Sequence, residues 1–184
     1  MKISEKIYYV GVDDVIKELF EGLWPLPFGV SYNSYIIKDE KIALIDTVEA
    51  GFEEEFIAEI ESTIGDRPVD YLIVNHMEPD HSSLTAYMLD RYPEMKIVAN
   101  SKTLPMLKGY YGVGEDRVTV VGEAQTLSLG SCTLRFHMIP MVHWPETMVT
   151  YLEEEKTLFS GDAFGTFGAV DELVRDDEDT FGMY

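Results

Sequence analysis

Hydrophobic positions along this chain switch between two spacings. Tyr35 to Lys38 and Lys41 to Asp46 are short apolar runs on either side of the polar pair Asp39-Glu40, which predicts a hairpin. Phe52, Phe56, Ile57, Ile60 and Ile64 then recur at helical spacing, so an amphipathic helix is expected to end near Gly65. Tyr71 to Val74 is apolar throughout and reads as a strand buried on both faces. Ser82 or Ser83 is expected to cap a helix running to about Arg91. A strand follows at Lys96 to Ala99, then a short helix around Met106. Strands dominate afterwards, at Arg117 to Val121, Cys132 to Met138, Thr147 to Leu152 and Thr157 to Ser160. An early hairpin, alternating helices and strands, and a late run of strands make an α/β (α+β) pattern.

A length of 184 residues suits one domain or slightly more. Residues 1–170 are expected to form that domain. Residues 171–184 carry six acids against Arg175 and no periodicity, and read as an acidic tail or a continuation cut short. No apolar run approaches the roughly 18 residues of a membrane span. The opening MKISEKIYYVG lacks the apolar stretch of a signal peptide, so a cytoplasmic location is expected.

Two features of composition narrow the chemistry. Cys132 is the only cysteine, which excludes an internal disulfide, a zinc ribbon and a cysteine-held iron–sulfur cluster. Any metal must therefore be held by imidazole and carboxylate. Fourteen basic residues against 34 acidic ones give a net charge of −20. Such a field repels phosphate backbones and argues against nucleic-acid binding, while a neutral diatomic substrate would be indifferent to it.

The chemistry concentrates in Val74-Asn75-His76-Met77-Glu78-Pro79-Asp80-His81-Ser82-Ser83. On a helix, positions two apart point about 200° from each other, so His76, Glu78 and Asp80 could not converge. An extended segment puts them on one side, and a turn at Pro79 with a helix start at the serines would bring His81 round. Any one of these residues alone would read as part of a polar loop. Together, at the end of an apolar strand, they read as a site where divalent cations offset repelling carboxylates. His143 sits in a loop after a strand, and Asp162 follows another strand. Gly161, lacking a Cβ, is expected to let the backbone approach a crowded site. Glu146 could orient an imidazole N–H or simply be polar. Trp144 could line the pocket or simply fill space.

Other residues carry less. His137 alternates with Leu134, Phe136 and Met138 and is expected to face solvent beside Arg135. Gly109, Gly112 and Gly114 follow no strand in a phosphate-loop pattern and are expected to be turns.

The order H-x-E-x-D-H, a later histidine in Pro140 to Met148 and an aspartate in Leu158 to Gly165 resembles the metallo-β-lactamase superfamily. Glu78 stands where most hydrolases of that superfamily have histidine, and so resembles the flavodiiron branch. Gly29 to Tyr35, Ala43 to Val48 and the HWP and SGDAFG phrases fit that branch too. The resemblance implies an αββα sandwich, here expected to be incomplete at its C-terminal end. It implies that His76, Glu78 and His143 hold one iron, that Asp80 and His81 hold the other, and that Asp162 bridges them. A final histidine of the family's second site, and the flavodoxin-like domain carrying FMN, have no counterpart in the sequence. The second site is therefore expected to hold metal less fully. Iron or manganese suits such donors, and zinc would bind opportunistically.

The leading expectation is the diiron module of an O₂ or NO reductase, supplied with electrons by an FMN-bearing, flavodoxin-type donor. A homo-oligomer, or completion by another polypeptide, is expected to cover apolar surface left by the open sandwich. One rival is a metallohydrolase, disfavoured by Glu78 and by the charge. Another is a shortened remnant that keeps the fold and has lost activity.

Overall fold

The computed structural model describes residues 1–169, so the expected tail at 171–184 lies outside the described residues. The strands, in chain order, are β1 (Ile7–Tyr9), β2 (Val12–Asp14), β3 (Leu19–Phe20), β4 (Trp24–Pro25), β5 (Val30–Tyr32), β6 (Tyr35–Lys38), β7 (Ile42–Ile45), β8 (Tyr71–Ile73), β9 (Lys96–Asn100), β10 (Val118–Val121), β11 (Thr126–Ser128), β12 (Thr133–Met138), β13 (Met148–Leu152) and β14 (Thr157–Phe159). The larger sheet runs β1-β6-β7-β8-β9-β10 and the smaller β11-β12-β13-β14, with β2-β5 and β3-β4 as separate pairs. The pairs β7-β8, β8-β9 and β9-β10 are parallel, whereas the smaller sheet is antiparallel throughout.

Each parallel crossover carries helix. α1 (Glu53–Ile64) joins β7 to β8, α2 (Pro79–Ser82) and α3 (Thr85–Arg91) join β8 to β9, and α4 (Thr103–Tyr111) joins β9 to β10. The helical spacing in α1 buries Phe56, Ile60 and Ile64, while Glu53, Glu54 and Glu55 in its first turn complement the helix dipole. Gly65 ends it at φ 65°, a left-handed value that costs glycine little.

The larger sheet sorts its side chains by alternation. Ile36, Ile42, Leu44, Leu72, Ile97 and Ala99 face a core shared with Phe56, Ile60, Met88 and Leu107 of the helices. Ile37, Ala43, Ile45, Ile73 and Val98 face a second core completed by Leu134, Phe136, Met148, Leu152 and Phe159 of the smaller sheet. The layers are therefore helix, sheet and sheet, an α/β arrangement. Among the described residues no helix joins the second core.

Several local expectations need correction. Ser82 closes the short α2 and Ser83 lies just beyond it, whereas α3 begins after Leu84 with no side-chain cap. Pro79 opens α2 because its missing N–H is of no consequence at a first helical position. Gly109 lies inside α4, and only Gly112, at φ 67°, ends a helix. The strands between residues 7 and 32, and β11, are too short to leave a legible period.

Candidate metal centre

Four loops meet at one edge of the two sheets. Asp46 follows β7, residues 74–81 follow β8, His143 lies between β12 and β13, and Asp162 follows β14. The β7 and β8 loops leave the carboxyl ends of parallel strands, where open α/β sheets place their ligand sites. Asn75 fastens the loops together. Its N–H donates to Asp46 Oδ1 at 2.7 Å, its Oδ1 accepts the Thr150 hydroxyl at 2.7 Å, and its carbonyl accepts the Met148 N–H at 3.0 Å.

The backbone stays extended through Glu78, at φ −60° and ψ 145°, and turns helical at Pro79. Ser82 Oγ donates toward the Met77 and Glu78 carbonyls and takes the Tyr111 hydroxyl at 2.8 Å, which holds the turn. The His81 carbonyl accepts the Thr47 N–H at 2.7 Å.

All six expected side chains come together, in two sets. His76, Glu78, His143 and Asp162 form one, and Asp80, His81 and Asp162 the other, each with candidate ligand atoms within 4.8 Å of one another. In the first set, His143 Nε2 lies 2.8 Å from Glu78 Oε2, and His76 Nε2 lies 3.2 Å from both Glu78 Oε2 and His143 Nε2. Asp162 divides its oxygens between the sets. Oδ2 is 3.3 Å from His143 Nε2 and 3.5 Å from His76 Nε2, whereas Oδ1 is 2.6 Å from His81 Nε2. Asp80 Oδ2 completes the second set at 3.5 Å from His81 Nε2.

The electrostatics show what such crowding demands. Burial pushes Asp80 up to about 6, more than nearby His81 can offset. Burial also opposes ionisation of Asp162, but the hydrogen bond from His81 outweighs it and holds Asp162 at about 2. Burial likewise opposes the charged form of His81, yet Asp162, Asp80 and Asp46 raise it to about 10. Glu78 is lowered, the pull of His76 and His143 exceeding its burial. Carboxylates and imidazoles thus stabilise one another's charged forms, a role that a cation also fills. Asp80 Oδ1 and His81 Nδ1 are buried without a hydrogen-bond partner among the described residues. Orphaned buried donors and acceptors beside converging imidazole nitrogens fit a pair of divalent ions held by oxygen and nitrogen. The site is open on one side, since the His143 side chain is 53% and that of Asp162 38% exposed.

Glu146, which sequence left open, is fully buried and places Oε1 2.8 Å from His76 Nδ1. Trp144 is half-buried and packs edge-on to His76, with ring centroids 5.2 Å apart. His137 is half-exposed, as expected, and pairs with Glu123 at 2.8 Å. Gly161 is correctly singled out for the wrong reason. A Cβ there would meet nothing within 4 Å, and its φ of 60° is what favours glycine.

Asp46 was missed. It is 3% exposed, has φ 55°, and lies with Oδ2 3.8 Å from His81 Nδ1. Burial pushes it up to about 6. Its signal was the same as that of Asp162, an aspartate directly after an apolar strand. A cavity on the far side of the first loop, lined by Lys17, Phe20, Glu49, Glu78 and Asp80, also left no pattern in the sequence.

Comparison with known proteins places the chain in a family. The profile of the ODP family beta lactamase matches residues 30–183. A nitric oxide reductase of Moorella thermoacetica is 37% identical over 89% of this chain and 41% of its own length. The rubredoxin-oxygen oxidoreductase of Megalodesulfovibrio gigas is 34% identical over 95% of this chain and 44% of its own length. The crystal structure of the flavodiiron protein from Giardia intestinalis superposes with a TM-score of 0.92 at 32% identity, covering 98% of this chain and 44% of that one. The chain thus spans less than half the length of the flavodiiron relatives it matches. With most of its residues inside the family match, the chain belongs to the ODP family beta lactamases.

Proposed function

We propose that this chain is the diiron module of an oxygen or nitric oxide reductase. The observation that carries the reading is the division of Asp162 between two donor sets, with a carboxylate, Glu78, completing the first. His76, Glu78 and His143 would hold one ion, Asp80 and His81 the other, and Asp162 both. When bound, a ferrous pair supplies the open positions and shared electrons that reduction of a neutral diatomic requires.

The chain's own residues have three tasks. The carboxylates and imidazoles would hold the ions, with the loops tied through Asn75 and Ser82. Trp144 and the apolar core behind His76 exclude water from that side. The exposed flank at His143 and Asp162 leaves a way in for substrate.

Electrons would come from an FMN-bearing domain or a flavodoxin-type partner, as the length of the flavodiiron relatives supports. Ile16, Leu23, Trp24 and Phe28 are exposed on the segment that also lines the cavity against Glu78 and Asp80, which supports a homo-oligomer or a partner surface. A cytoplasmic location fits the buried free thiol of Cys132. No helix of the described residues is long and apolar enough to cross a membrane.

Anaerobic reconstitution with Fe(II) tests the reading. The chain should take up iron in both sets and consume O₂ or NO only when a reduced flavoprotein is added. Rapid turnover without flavin would sink it. Preferential zinc retention with ester hydrolysis would place the chain with the hydrolases instead.

A further inference from the structure

We propose that Glu146 positions and polarises His76, and thereby makes the His76–Glu78–His143 set the first of the two to take a metal ion. The proposal rests on the metal-centre reading above.

Glu146 is 1% exposed, and its Oε1 accepts the Met77 N–H at 3.0 Å. An oxygen already serving as acceptor is placed to receive a proton from the other side as well, so His76 Nδ1, at 2.8 Å, is the donor. With the proton kept on Nδ1, Nε2 is the nitrogen free to give up its own proton to an incoming ion, and Nε2 is the atom turned toward Glu78, His143 and Asp162. The backbone that carries this side chain is itself fixed. Asn100 Nδ2 donates to the Glu146 carbonyl, while Asn100 Oδ1 accepts the N–H groups of Lys102 at 2.9 Å and Thr103 at 3.2 Å at the start of α4. A buried carboxyl, on backbone tied to the frame of the domain, thus stands behind one imidazole. Such partners raise the basicity of a ligating imidazole and lock its ring.

The second set lacks the equivalent. Asp46 Oδ2 is 3.8 Å from His81 Nδ1, beyond hydrogen-bond reach, and His81 Nδ1 is buried without a partner. His81 is therefore less well oriented than His76, and its set offers three donors against four. The first set should fill first.

The test is an anaerobic titration of the metal-free chain with Fe(II), followed by calorimetry and by the fluorescence of Trp144 beside His76 in a Trp24→Phe background. The unmodified chain should bind in two phases. Glu146→Gln keeps an oxygen acceptor in place and replaces the carboxyl with an amide. It should weaken the first phase by about 10–100-fold and leave the second unchanged, so that the two approach one another. An unaltered first phase in E146Q overturns the proposal. Should E146Q fail to fold, nitrogen-15 NMR of the zinc-loaded unmodified chain decides. His76 should show a protonated Nδ1 and a metal-bound Nε2, and the reverse assignment overturns the proposal. His76→Ala serves as the separate control. If it takes up two ions as tightly as the unmodified chain, the metal-centre reading fails, whatever Glu146 does.

Discussion

The Thr150 hydroxyl donates to Asn75 Oδ1 at 2.7 Å, and this bond joins the two sheets directly behind the ligands. Both residues are buried, so neither can turn to water if the other is lost. Thr150→Val should strand the Asn75 acceptor at about 1–3 kcal/mol. Urea midpoints measure the cost, and iron uptake should loosen in parallel. A variant as stable as the parent would show that the junction is replaceable.

The ligand sets predict a pattern of metal content. Asp80→Ala should keep about one ion per chain, because His76, Glu78, His143 and Asp162 remain. Asp162→Ala should lose ions from both sets. Elemental analysis after anaerobic gel filtration distinguishes the two, and equal retention by both variants would contradict the division of Asp162.

Removing metal should lower thermal stability. An ion present at about one hundred times its dissociation constant contributes about 2.7 kcal/mol. For a chain of this size that corresponds to a fall in Tm of roughly 5–10 °C on chelation. A melting curve unchanged by chelator would mean that the folded chain held no ion.

Asp39 should govern part of the acid response. It accepts from Lys6 Nζ at 2.9 Å, the Cys132 N–H at 2.6 Å and Ser131 Oγ at 3.0 Å, and so fastens the β6–β7 turn to the smaller sheet. Burial would raise it, but these donors hold it well below the usual carboxylate range. Its folded value is therefore lower than the unfolded value of about 3.9. The stabilisation is fully present above the unfolded value and is lost as pH falls through the folded one. Asp39→Asn should be less stable at neutral pH and should show a shallower loss of stability in acid.

Phe56 anchors α1 with no exposed surface. Phe56→Ala should cost about 3–5 kcal/mol, read from denaturant unfolding.

Residues that work through a strong period or a dense motif were legible from sequence. The spacing of Phe56, Ile60 and Ile64 located α1, and the alternation around Leu134 and Phe136 located β12. The six candidate ligands stood out because four of them crowd into one short segment. Residues that act through distant contacts left no local trace. Asp46 approaches His81 across 35 positions of chain, and Asn100 reaches Glu146 across 46. The caps failed for a different reason. Ser82 resembles a helix cap in sequence, but its hydroxyl is taken by the Met77 and Glu78 carbonyls and by Tyr111.

If Asp162 serves both donor sets, the two halves of the centre would behave as one thermodynamic unit. An ion in the first set would reduce the negative charge that Asp162 offers the second, while also ordering its side chain for the neighbour. Repulsion and preorganisation oppose each other through a single group. By linkage, whatever one ion does to the affinity of the other must be returned in equal measure.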